Sequence, residues 1–131
     1  MILTTAAAIC LAQNIYFEAR NQDLDGQRMV AEVTISRLEA DGFPKTVCGV
    51  VWQKGQFSWT EDGKSDTPKD EGAWRLAQEI AADVLMNGCD LCTGATHFAT
   101  VEAEPYWAAD MDEVWRWGDH VFYTKWDGCD E

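Results

Sequence analysis

Residues 11–22 read LAQNIYFEARNQ and place a carboxylate where an apolar side chain would complete a helical stripe. Ala8, Leu11, Ile15 and Glu18 recur at three- and four-residue spacing, so they share one helix face. Burial against Leu11, Ile15, Tyr16 and Phe17 would raise the pKa of Glu18, because desolvation penalises the charged form. A carboxyl that keeps its proton near neutrality is what a general acid requires. Arg20 acts in the opposite sense, since a close guanidinium favours the carboxylate. The competing reading is a solvated helix-end carboxylate paired with Arg20, and periodicity alone favours that one.

Other chemistry-bearing residues are weaker signals. GQFSWT, residues 55–60, alternates like a strand, with Gln56 and Ser58 on one face and Phe57 and Trp59 on the other. One pair is expected to be core and the other functional. His97 and His120 read first as hydrogen-bonded structural histidines flanking strands, and second as zinc ligands or a base. Tyr106 and Tyr123 are candidates for hydroxyls aimed into a groove. Trp107, Trp115 and Trp117 offer flat faces for a sugar ring, with at least one expected in the core. Glu102 and Glu104 read as solvated.

The elements that must position these residues follow from periodicity. The alanine run, with Thr4 or Thr5 as cap, predicts a helix over 5–20. A second helix is expected from Asp25 to about Ala40. Met29, Val30, Val33, Ile35 and Leu38 occupy too much of its circumference for a surface helix, so it should be central. VCGVVWQ is apolar and undecided in type. TEDGKSDTPKDEG reads as an exposed loop, and AWRLAQEIAADVLMNG as a helix stopped at Asn87-Gly88. ATHFAT and HVFYTKW read as strands. Three helices and a small sheet make an α+β domain.

The bulk numbers bound the function. At 131 residues the chain has room for one domain, taken as residues 1–131. A formal net charge of −13 argues against nucleic acid and anionic lipid as partners and leaves neutral or cationic substrates open. No apolar run reaches the length of a membrane span, so no membrane insertion is expected. MILTTAAAICLA has the look of a short signal core but lacks a basic flank, and it reads as part of the fold. The five cysteines are Cys10, Cys48, Cys89, Cys92 and Cys129. The lone CDLC lacks a second pair of zinc ligands, although Cys129 and His120 would complete a site if the fold brought them together. Disulfides are the leading reading, with reduced thiols as the alternative.

LAQNIYFEARNQDLDGQRMVAEVTISRL, FPKTVCGVVWQKGQFSWT, GATHF and GDHVFYTKW occur in this order, and together they resemble the SleB-type cell wall hydrolase family, which includes spore-cortex lytic enzymes and phage lysins. The resemblance runs from about Leu11 to Trp126. It implies a lysozyme-like, mainly helical fold with a small antiparallel sheet beside the groove, and cleavage of peptidoglycan glycan strands without a cofactor. The family's catalytic glutamate matches Glu18. The implied reaction is lytic transglycosylation between N-acetylmuramic acid and N-acetylglucosamine, giving 1,6-anhydro ends.

Tyr16, Arg20, Gln22, Gln56, Phe57, Ser58, Trp59, His97 and Tyr123 are then the expected groove residues. Many family members carry a second glutamate where this chain has Gln22, so an acid or base role there is in doubt; Gln22 keeps the capacity to hold a water or a sugar hydroxyl. The rival readings are a muramidase-type hydrolase with a second carboxylate, a zinc amidase, and a non-catalytic glycan-binding or virion protein. Asp23, Asp25, Glu32, Glu61 and Asp62 are the candidates for the second carboxylate. The expected setting is a monomeric phage or prophage endolysin, made in the host cytoplasm and acting on the wall after holin-assisted release.

Overall fold

The computed structural model describes residues 5–103 and 105–125. Four helices come first: α1 (Thr5–Ala19), α2 (Leu24–Glu39), α3 (Val47–Val51) and α4 (Glu71–Asn87), with a 3-10 turn at Ser58–Glu61 before α4. Strand β1 (His97–Thr100) leads to a second 3-10 turn at Tyr106–Asp110, then β2 (Met111–Trp117) and β3 (His120–Lys125). The arrangement is α+β and mainly helical, as expected. Among the described residues, no helix is long and apolar enough to cross a membrane.

Three helix starts follow one rule. Asp23 Oδ1 accepts from Gly26 N at 3.0 Å, Thr46 Oγ1 from Gly49 N at 2.9 Å, and Asp70 Oδ1 from Ala73 N at 3.1 Å. Each side chain satisfies a donor that the first helical turn leaves unpaired. α4 stops at Gly88, whose φ of 82° favours glycine.

α1 packs against α4, α2 and α3, and Leu11, Ala12, Ile15 and Ala19 are fully buried on it. α2 is central, as its pattern required. Its Ala31 joins the cluster between α1 and α4, while Met29, Val30 and Val33 pack with Phe122 of β3. The three-stranded sheet is antiparallel with order β1-β3-β2. His97 pairs with Tyr123 and Phe98 with Phe122; a bulge at Val114 separates the pairs Glu113–Tyr123 and Trp115–Phe122.

One local expectation changes, and two segments left open take form. GQFSWT is not a strand: Phe57 is extended, but Ser58–Glu61 wind into a 3-10 turn. Its alternation in burial survives, with Phe57 and Trp59 in the core and Gln56 and Ser58 exposed. VCGVV is the helix α3. The segment between the two expected strands contains β2, which pairs with β3 through a tight turn at Gly118-Asp119. Gly118 has φ 56°.

Two disulfides form, Cys10–Cys48 and Cys89–Cys92. The first ties α1 to α3. Cys129 lies outside the described residues, as does Glu104.

Candidate active site

Glu18 sits one residue before the end of α1, with Ile15 and Ala19 beside it fully buried. The carboxyl is half-buried, and burial pushes its pKa up to about 7. The guanidinium that opposes this shift belongs to Arg37 of α2 rather than to Arg20. Arg20 is exposed; it donates from Nη1 to the Tyr16 carbonyl at 3.2 Å and lies 4.7 Å from the Tyr16 ring centroid.

Glu18 and Arg37 open onto a cleft of about 490 Å³. Gly55, Gln56 and Phe57 line it from the loop before the first 3-10 turn, and His97 and Phe98 line it from β1. Tyr106 and Trp107 line it from the second 3-10 turn. Tyr106 is 92% exposed, an aromatic ring at the cleft with almost no cover. Trp107 is wedged against the His97 ring at 5.1 Å and edge-on to Tyr123 at 5.3 Å. The loop on the opposite side is pinned by Glu61, whose Oε2 accepts from Gly55 N at 2.8 Å.

Arg37 is 4% exposed. Its Nε donates to the Thr96 carbonyl at 2.7 Å, and the guanidinium lies 5.1 Å from the ring centroids of both Phe43 and Phe57. Its Nη1 is buried and has no partner among the described residues. Burial pulls its pKa down to about 10, so it remains a cation at neutral pH. His97 is pulled down to about 4, first by burial and then by Arg37, so it is neutral there. Its Nδ1 lies 3.0 Å from Thr96 Oγ1.

Of the residues expected in the groove, Glu18, Gln56, Phe57 and His97 are brought together. The others are placed elsewhere. Tyr16 is buried, and its hydroxyl accepts from the backbone N–H of Lys69 and Asp70 at 3.1 and 3.0 Å, anchoring the chain before α4. Trp59 is core: it stacks on Phe17 at 4.8 Å and donates from Nε1 to Asn14 Oδ1 at 2.9 Å. Gln22 clasps the β2–β3 turn, donating to Asp119 Oδ2 at 2.9 Å and accepting from Asp119 N at 3.2 Å. Ser58 is exposed outside the cleft lining, and Tyr123 backs Trp107 from behind.

The rival carboxylates are also placed. Glu32 is buried and accepts from the backbone N–H of Asp90, Leu91 and Cys92 at 2.7, 3.1 and 2.9 Å, and from Arg28 Nε at 3.2 Å. Asp23 caps α2 and accepts from Trp117 Nε1 at 2.6 Å. Asp62 accepts from Lys64 N at 2.9 Å, and Asp25 is exposed. Glu18 is the one carboxylate among the described residues that line the cleft. His120 is buried against Phe98, at 5.2 Å between ring centroids, but its Nδ1 has no hydrogen-bond partner among the described residues, unlike the hydrogen-bonded histidine expected. Trp115 and Trp117 stack on each other at 5.2 Å on β2, away from the cleft lining.

Arg37, Gly55 and Phe98 line the cleft without having been expected there, and Arg37 is the charged one. The signal was present: Val30, Val33 and Arg37 fall on one face of α2, so a charge occupies an apolar stripe there just as Glu18 does on α1.

Residues 21–123 match the family described as Cell Wall Hydrolase, a span that begins three residues after Glu18. The spore cortex-lytic enzyme of Halalkalibacterium halodurans is 33% identical over 113 residues, covering 86% of this chain and 33% of that protein. The spore cortex-lytic enzyme of Bacillus subtilis is 31% identical, covering 86% of this chain and 35% of its own length. The chain thus spans about a third of these curated relatives. Among solved structures, the catalytic domain of the germination-specific lytic transglycosylase SleB from Bacillus anthracis superposes with a TM-score of 0.75 at 24% identity, over 93% of this chain and 97% of that one. The catalytic domain of Bacillus cereus SleB gives 0.73 at 25% identity, over 95% and 94%. The fold is the lysozyme-like one of these domains.

Proposed function

The chain belongs to the cell wall hydrolase family, and we propose that it cuts the glycan strands of peptidoglycan as a lytic transglycosylase, with Glu18 as both acid and base. One observation carries this reading: Glu18 is the one carboxyl among the described residues that line the cleft, held near a pKa of 7 by burial, beside a neutral His97. Glu18 in its acid form protonates the oxygen joining N-acetylmuramic acid C1 to N-acetylglucosamine. The C1–O bond breaks, leaving an oxocarbenium-like centre at C1 and a carboxylate on Glu18. The same sugar's C6 hydroxyl then attacks C1, and its proton passes to Glu18. A 1,6-anhydro ring closes, Glu18 recovers its acid form, and no water is consumed. A pKa near the working pH suits a group that must give and take the same proton.

Gln56, His97, Tyr106 and Trp107 are positioned to hold the sugars: two polar tips and two aromatic faces around the acid. The test is mass spectrometry of fragments released from purified peptidoglycan, with Glu18→Gln in parallel. Fragments ending in 1,6-anhydro-muramic acid, absent from the variant's digest, are the expected result. Equal release by both proteins would sink the assignment of Glu18.

A second reading, hydrolysis with a partner carboxylate, has one observation in its favour. Glu61 is tied to the N–H of Gly55, which lines the cleft. Reducing muramic acid ends, together with loss of activity in Glu61→Gln, would select it.

A further inference from the structure

Arg37 is an anomaly in a chain of net charge −13. It is a cation, 4% exposed, and it lines the cleft. Its Nε is committed to the Thr96 carbonyl, and its Nη1 is buried without a partner among the described residues. The rings of Phe43 and Phe57 fix the plane of the guanidinium. A buried charge left unpaired is costly, so a fold that holds one rigidly beside a cleft has built a site for an acceptor. Glu18 supplies only part of the missing charge near neutrality, because burial pushes its pKa up to about 7. The cleft therefore presents a positive centre inside a strongly acidic protein.

We propose that Arg37 binds the carboxylate of the 3-O-lactyl arm of muramic acid, so that the enzyme prefers strands whose lactyl groups are free of peptide. The proposal rests on the peptidoglycan reading above and names the substrate class within it. Among the parts of a glycan strand, the lactyl arm is the one that becomes an anion, and it does so only when no peptide stem is attached. A guanidinium discriminates an anionic oxygen from a neutral carbonyl because Coulomb attraction between the two ions adds to the hydrogen bond. Long-range electrostatics would act in the other direction, since the net negative charge repels an acidic strand. A preference for the acid is therefore diagnostic of a local contact.

The test uses two substrates made from one preparation. Glycan strands are stripped of stems by an amidase, and half are converted to the methylamide at the lactyl carboxyl. The wild-type protein is expected to show kcat/KM about tenfold higher on the free-acid strands. Arg37→Gln is expected to bring that ratio to one or below, and Arg37→Lys to retain part of it, because a point charge keeps attraction without the fork. Equal turnover of both strands by the wild type overturns the proposal, and so does an unchanged ratio in Arg37→Gln; an Arg37 that serves a sugar's N-acetyl carbonyl would give the first of these results. The wild-type comparison needs no variant, so a folding defect at position 37 leaves it intact. If neither strand is cut while intact peptidoglycan is, the proposal is overturned; if intact peptidoglycan is not cut either, the glycan-cleaving reading fails. The contact is then read separately, as tighter binding of free-acid than methylamide strands to Glu18→Gln; equal binding, or none, overturns it.

Discussion

Glu18 and His97 line the same cleft, and burial drives their protonation in opposite directions. Glu18 rises from an ordinary 4.5 to about 7, so between those values the folded state holds more protons than the unfolded chain. Stability then falls as pH rises through that window. His97 drops from 6.5 to about 4, so there the unfolded chain holds more protons and stability rises with pH. The slopes oppose each other where the windows overlap, and the wild type's stability should vary little across them. Glu18→Gln removes one slope. It should leave stability nearly unchanged at pH 4 and raise it at pH 8, by on the order of 3 kcal/mol from the size of the shift. Denaturant midpoints at the two pH values check this, and an equal effect at both would mean that burial does not hold the proton on Glu18.

The role proposed for the same carboxyl predicts a kinetic limit. If its acid form protonates the leaving oxygen, kcat/KM should fall as pH rises through about 7. Because His97 is neutral from about pH 4 upward, no histidine limb is expected between pH 5 and 7. Glu18→Gln should lose roughly 10²- to 10⁴-fold in rate, the usual worth of a positioned acid. A profile flat to pH 9 would show that the proton comes from elsewhere.

The parts of this site legible in the sequence were those written locally. Glu18 interrupts a stripe, which raises the question, but periodicity alone favours a solvated helix end, and it is the ordered motif blocks that imply a role. The cleft's other lining residues depend on which loops meet, and that is set by packing between distant segments. Tyr16 shows the limit. It lies only two residues before Glu18 in sequence, but two positions along a helix rotate a side chain by about 200°, which turns it away from the cleft and into the core. Trp59 reads as a sugar platform until its indole N–H is seen to reach Asn14. The strand β2 was hidden because acidic residues and a bulge at Val114 break its alternation, yet the Gly118-Asp119 turn was a usable hairpin signal.

Glu32 holds the loop closed by the Cys89–Cys92 disulfide. Three backbone N–H groups and Arg28 converge on its buried carboxylate. Glu32→Ala would leave these three backbone donors without their acceptor, while Arg28 keeps Asp83 and Asp90, a change expected to cost about 1–3 kcal/mol. Chemical denaturation should show a lower midpoint with an unchanged slope. Residual activity at low temperature should match the wild type, because Glu32 lies outside the cleft; lost activity at full folding would return it to the list of catalytic carboxylates.

The Cys10–Cys48 bond closes a loop of 38 residues' separation between α1 and α3. By loop entropy alone, such a crosslink stabilises by about 4 kcal/mol. The double variant Cys10→Ser, Cys48→Ser should therefore melt well below the wild type, while the Cys89–Cys92 pair, with a separation of 3, should contribute much less. Melting curves of both pairs of variants, run without reductant, compare them directly. Equal losses would mean that the short loop also holds distant structure in place.

Gln22 and Asp119 form a two-way clasp between the α1–α2 turn and the β2–β3 turn. The amide is well suited to this position: its Nε2 donates to the Asp119 carboxylate while its Oε1 accepts from the Asp119 N–H. Glutamate keeps the acceptor, loses the donor and sets a second negative charge against Asp119. Gln22→Glu should therefore destabilise the protein by about 1 kcal/mol, with the loss reduced by salt because the pair is near the surface. Adding Asp119→Asn restores a donor–acceptor match, since the new amide can donate to the carboxylate placed at position 22, and should recover most of the loss. A double-mutant cycle of thermal midpoints measures this coupling. Additive effects of the two substitutions would show that the clasp carries no energy of its own, and Gln22 would again be free to serve the substrate.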